Sequence, residues 1–108
     1  MAPPDEELLR AAAGVFAEAF GGIIRIEPDG GAPFWIDGRK APPSVSAAAP
    51  SDVNDEGAGC CTWFAARDTL LRIFEEERFL ASSFVSGRLG ILGDMSVMAR
   101  LNLARPRG

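Results

Sequence analysis

The chain has 108 residues, 47% hydrophobic and 24% charged, with 15 acidic and 11 basic side chains, a net charge of −4 and no histidine. That length suits one domain around one core. The acidic balance argues against a general nucleic-acid binder, which displays a basic face, and the lack of histidine removes Ser-His and Cys-His nucleophile pairs along with the commonest partner ligand of zinc.

No apolar run reaches the roughly 20 residues that span a bilayer, and the start MAPPDEELLR is acidic where a signal peptide is basic. The expectation is a cytoplasmic protein without metal or cofactor. Pro4 and Asp5 begin a stretch in which Leu8, Leu9, Ala12, Val15, Phe16, Ala19 and Phe20 recur three and four apart. This spacing predicts an amphipathic helix that runs to Phe20 and stops at Gly21-Gly22. Ile24 and Ile26, then Phe34 and Ile36, alternate about the turn residues Pro28-Asp29-Gly30-Gly31, which predicts a β-hairpin. Residues 38–59 are rich in Pro, Ala, Ser and Asp and read as a long loop holding at most one short strand near Ser44–Ala47.

CCTWFA, from Cys60, is a central strand with Cys61, Trp63 and Ala65 on one face and Cys60, Thr62 and Phe64 on the other, both apolar enough to be covered. Adjacent cysteines on a strand point to opposite faces, so they are expected as two small buried side chains. Asp68 is placed to cap a helix with Leu70, Leu71, Ile73 and Phe74 inside, and Glu75, Glu76 and Glu77 end it as a solvated charge run. FLASSFVSG gives a helical turn that Gly87 terminates, RLGILG a strand, and Asp94 the cap of a last helix with Met95, Val97, Met98 and Leu101 inward.

Gly87, Gly90 and Gly93 lie three apart ahead of that helix, but they match neither G-x-G-x-x-G nor G-x-x-x-x-G-K-[ST]. Leu89 and Ile91 alternate between them, so the segment is a strand where a phosphate loop would need exposed amides. Strands grouped with helices at the ends predict an α+β fold with a mainly antiparallel sheet and helices on one face.

The segment Phe84-Val85-Ser86-Gly87-Arg88-Leu89, Ile91, Gly93-Asp94-Met95 and Met98 to Leu101 resembles the sterol carrier protein type 2 (SCP2-like) domain family. That family shows a helical turn ending in Ser-Gly, a Gly-basic-Leu strand, then Gly-Asp and an apolar helix. The resemblance extends more weakly to Cys60–Phe74, Trp35-Ile36-Asp37 and Phe16. It implies a five-stranded sheet covered on one side by helices, with an apolar tunnel between sheet and C-terminal helices for a sterol, fatty acyl or isoprenoid ligand, transient membrane contact, and no catalytic residues. Gly90 and Leu92 depart from the family's outward basic residues, and Glu75–Glu77 replace a Gly-containing turn.

Phe16, Phe74, Phe84, Val85, Leu89, Ile91, Met95, Met98 and Leu101 are the lipid-site residues this resemblance implies. On the residues alone, Met95, Met98, Phe84 and Val85 present flexible apolar surface that serves a varied ligand or simply fills a core. Trp35, Gly90 and Leu92 fall on the sheet face away from the helices and mark a partner surface, for which a second copy of the chain is one occupant. Three functions stand open: a lipid carrier, a non-catalytic accessory or oligomerisation module, for example in a quinone pathway, and an enzyme. For the last, Asp37, Asp94, Arg67 and Ser86 are the available groups, with no nucleophile–base pair among them.

Overall fold

The computed structural model describes residues 5–16, 18–40, 42–48, 59–76 and 79–101. Helix α1, Glu6–Val15, begins at Asp5, whose carboxylate accepts the Leu8 amide, and buries Leu8, Ala12 and Val15. It ends at Val15, so the helix expected to reach Phe20 is shorter by more than a turn. The apolar spacing continues past it because Phe16 and Phe20 are core residues of an irregular segment: the amides of Phe20 and Gly21 both donate to the Gly38 carbonyl, and the Phe20 ring fills the space a Cβ at Gly38 would need.

Strands β1 (Ile23–Pro28), β2 (Phe34–Asp37), β3 (Ser44–Ser46), β4 (Cys60–Ala65) and β5 (Leu89–Gly93) form one sheet in the order β3-β2-β1-β4-β5. The β1–β4 pair is parallel and the other three are antiparallel. The mainly antiparallel α+β architecture expected from the sequence is thus observed. Residues 49–58 of the expected loop lie outside the described residues.

Helices α2 (Arg67–Glu75) and α3 (Phe79–Val85) connect β4 to β5, and α4 (Ser96–Arg100) follows β5. Asp68 does not cap α2. Ala66 holds that position without a side-chain bond, and Asp68 falls inside the first turn, where its charge still suits the dipole. Gly87, at φ +83°, closes α3 in a Schellman arrangement: its amide donates to the Phe84 carbonyl and that of Arg88 to the Ser83 carbonyl.

One face of the sheet is buried under α1 and α2. Ile24, Ile26, Phe34, Ile36, Cys61, Trp63, Ala65 and Leu89 point there, and they join Leu8, Val15, Phe16, Leu70, Ile73 and Phe74 in the core. The other face is buried at the Ile23–Cys60 pair and open beyond it. It carries Arg25, Trp35, Thr62 and Leu92 in one row across four strands and Glu27, Phe64 and Gly90 in the next. This corrects the expectation that both faces of β4 are covered: Phe64 is exposed and Thr62 half-buried, while Cys60 at the strand's start is buried.

Candidate functional site

The layer between sheet and helices is aromatic. Phe16 lies 5.9 Å from Phe74 and 6.0 Å from Trp63 between ring centroids, and Trp63 stacks on Phe74 at 6.5 Å with 21° between planes. Such pairs add about 0.5–1.5 kcal/mol each beyond the area they bury. Burial pushes the neighbouring Cys61 thiol up to about 12, so it stays protonated and acts as a packed side chain.

Helix α4 closes one end of this layer. Asp94 positions it by accepting the Gly59 amide at 2.6 Å and the Ser96 amide and hydroxyl at 3.0 and 2.6 Å. Val97 is fully buried in a notch that exists because residue 22 is glycine; a Cβ there would stand 2.9 Å from the valine methyl. Met98 meets the core through its sulfur, which accepts the Trp63 indole N–H at 3.2 Å, and Leu101 packs beside it.

Of the residues expected to line a lipid site, Phe16, Phe74 and Leu89 are buried in this layer, and Ile91, Met98 and Leu101 pack against it half-buried. Phe84, Val85 and Met95 stand elsewhere: they are 47%, 85% and 47% exposed, on the outer sides of α3 and of the turn before α4. Met95 therefore does not face inward with Val97 and Met98. Trp63, which the sequence presents only as a strand residue, is the centre of the layer; its indole N–H, which needs an acceptor when buried, was the available signal.

Trp35, Gly90 and Leu92 share the open sheet face. The Arg25 guanidinium lies 5.7 Å from the Trp35 ring centroid. The Trp35 indole N–H is buried without a hydrogen-bond partner among the described residues, and Leu92 is 64% exposed.

The polar groups considered for catalysis are far apart in role. Asp37 is held by the Arg39 guanidinium at 2.6 Å and by its amide, which keeps its carboxyl below the usual range. Arg67 pairs with Asp5 at 2.6 Å and with Glu7. The Ser86 hydroxyl donates to the Ser83 carbonyl at 3.2 Å.

Two open clefts lie away from α4. One, of about 420 Å³, is lined by Asp68, Thr69 and Arg72 of α2 and by Ser82, Ser83, Ser86 and Arg88 of α3 and its turn. The second shares Thr69 and Arg88 with it and continues over Ala65, Ala66, Phe64 and Pro28 to Glu27 and Asp29. No helix among the described residues is long and apolar enough to cross a membrane.

The sequence matches no family model and no curated protein. Solved structures do match. A UbiJ-SCP2 ubiquinone synthesis protein superposes with a TM-score of 0.56 at 20% identity, over 89% of this chain and 75% of the other. Apo sterol carrier protein 2 from Yarrowia lipolytica superposes with a TM-score of 0.51 at 14% identity, over the same shares. This is an SCP2-like fold. In this SCP2-like chain, the five-stranded sheet, the connecting helices and the terminal helix α4 are the elements the sequence resemblance implied, and the aromatic layer fills the space between sheet and helices.

Proposed function

We propose that this chain is a non-catalytic lipid-binding domain that takes an apolar chain, sterol, fatty acyl or isoprenoid, into the layer beneath α4. The observation that carries this is the join between α4 and that layer. A five-residue helix, held inward by Val97, Met98 and Leu101, covers the end of an otherwise aromatic and aliphatic interior.

The interior is closed in this conformation, with Phe16 and Trp63 at most 2% exposed. Entry therefore requires α4 to swing away and Met98 to leave the indole. Methionine suits this, because its thioether stem repacks among many shapes. Burying an alkyl chain contributes roughly 0.8 kcal/mol per CH₂, so a long chain offsets an opening cost of a few kcal/mol, which appears as a weakened apparent affinity. Solvent extraction of the purified protein with mass spectrometry of the extract, followed by uptake of a fluorescent fatty acid, tests the proposal. Recovery of a lipid or saturable uptake is expected; a ligand-free protein that takes up no fatty acid contradicts it.

The open sheet face favours a second function, an oligomerisation or accessory module, with a second copy of the chain as the occupant. Five strands make a face of at most about 24 by 17 Å, so a face-to-face pair buries roughly 800 Å², below the ~1,000 Å² of a stable specific interface and in the range of a weak, transient dimer. Arg25 and Glu27, two apart at the centre of the face and 3.5 Å from one another, can exchange partners across a two-fold axis. Leu92 and Phe64 supply the apolar contact.

A further inference from the structure

Trp63 carries a hydrogen-bond donor into an interior that is otherwise apolar. Apart from Ser83 on α3, the buried residues described are of the apolar kinds, and none is charged. The indole N–H donates to the Met98 sulfur at 3.2 Å, a weak acceptor that α4 supplies and takes away when it lifts. Given the lipid entry beneath α4 proposed above, on which this inference rests, we propose that the ligand carries a neutral carbonyl oxygen, as in a ketone or an ester, that replaces the Met98 sulfur on the Trp63 indole N–H.

Strand and helix fix the position of that oxygen from two sides. Trp63 is fully buried on β4, stacked on Phe74 and 6.0 Å from the Phe16 ring, so packing sets the direction of its N–H. Met98 follows Val97, the residue seated in the notch at Gly22, so the valine and the sulfur leave together when α4 moves as a unit. The N–H then keeps the Cys61 thiol beside it, which burial holds protonated and which accepts weakly.

Hydrogen bonding and charge then select the ligand. A hydrocarbon in the vacated space leaves the donor buried without a good acceptor, whereas a carbonyl oxygen about 2.9 Å from the nitrogen restores a bond better than the one to sulfur. A carboxylate accepts as well, but its charge enters a layer in which no cation among the described residues is buried to pair it. A fatty acid therefore enters tail first, with its carboxylate at the surface, and gains nothing from the indole. The ligand that fits best is a neutral molecule with an acceptor oxygen on an apolar body, which the rings of Phe16, Trp63 and Phe74 bury.

The test follows the indole N–H signals of the ¹⁵N-labelled chain by NMR during titration with methyl decyl ketone, dodecane and dodecanoate, each supplied from cyclodextrin. The ketone should bind about tenfold more tightly than dodecane and move the Trp63 signal downfield, while the signal of Trp35, on the open sheet face, stays. Dodecanoate should bind more weakly than the ketone. Trp63→Phe keeps an aromatic wall and removes the donor, so it should bring ketone and dodecane to equal affinity. Met98→Leu should tighten both, because neither then has a sulfur to displace, and this second variant leaves Trp63 in place. Equal binding of ketone and dodecane to the unmutated chain, a Trp63 signal that the ketone does not move, a ketone preference retained by Trp63→Phe, or tighter binding of dodecanoate than of ketone would overturn the inference while lipid uptake stands. A folded chain that takes up none of the three overturns both.

Discussion

The indole N–H of Trp63 donates to the sulfur of Met98 at 3.2 Å and joins α4 to the aromatic layer. Met98→Leu keeps most of the apolar volume and removes the acceptor. A buried indole N–H left without a partner costs about 1–3 kcal/mol, so urea unfolding should show a midpoint lowered accordingly, with an unchanged slope. Loss of nothing in stability would mean that the contact does not hold α4 down.

The glycines of β5 should respond unequally to alanine. Gly93 has φ +106°, and a Cβ there would stand 2.6 Å from the Cys60 carbonyl oxygen and 3.0 Å from the Cys61 Cα, both backbone atoms. Gly93→Ala should destabilise by about 3 kcal/mol or more. Gly90 meets nothing closer than 3.8 Å, so Gly90→Ala should change stability by under ~1 kcal/mol in thermal unfolding.

Asp5 links pH to the anchoring of α1. Its hydrogen bond to Arg67, reinforced by the Leu8 amide, holds its carboxyl below the usual value even though partial burial works the other way. A depressed folded-state pKa contributes stability above the unfolded value, near ~3.9, which is lost as pH falls through the folded one. Asp5→Asn keeps a cap acceptor and removes the charge. Its deficit relative to the unmutated chain should be present at pH 7 and vanish in strong acid; a deficit independent of pH would contradict the assignment.

The open sheet face makes a prediction about size in solution. With Leu92 64% exposed beside Thr62 and Gly90, Leu92→Lys should convert a dimer into monomers in light scattering, because it places a charge in the apolar contact between the two faces. An oligomeric state that Leu92→Lys leaves alone removes the face-to-face arrangement.

Alternation made the sheet legible: Ile24, Ile26, Phe34, Ile36, Cys61, Trp63 and Ala65 all point to the core, since a period of two permits only two faces. The last quarter was legible through its punctuation: Gly87 and Gly93 hold positive-φ positions, while Asp94, expected as the cap of α4, stands one residue ahead of the Met95 N-cap and ties the helix start through the Ser96 amide. Helix ends were less so. Phe16 and Phe20 keep helical spacing beyond Val15 because burial, not helicity, selects them, and Asp68 fell within α2 because Ala66 makes a serviceable start without a side-chain bond. Pairing across long separations escaped the sequence altogether. Nothing local in Met98 announces that Trp63 is its partner, nor in Ser82 and Ser86 that Arg72 faces them across a cleft.

Quenching of Trp63 by a brominated fatty acid is the most direct test of lipid entry beneath α4. In a Trp35→Phe background the emission comes from Trp63 alone, since the chain has two tryptophans, and bromine quenches at contact range. Titration with dibromostearate should quench that emission saturably, unbrominated stearate should compete it away, and Met98→Ala should alter the affinity. Emission that stays constant throughout the titration, in a folded protein, would contradict the account.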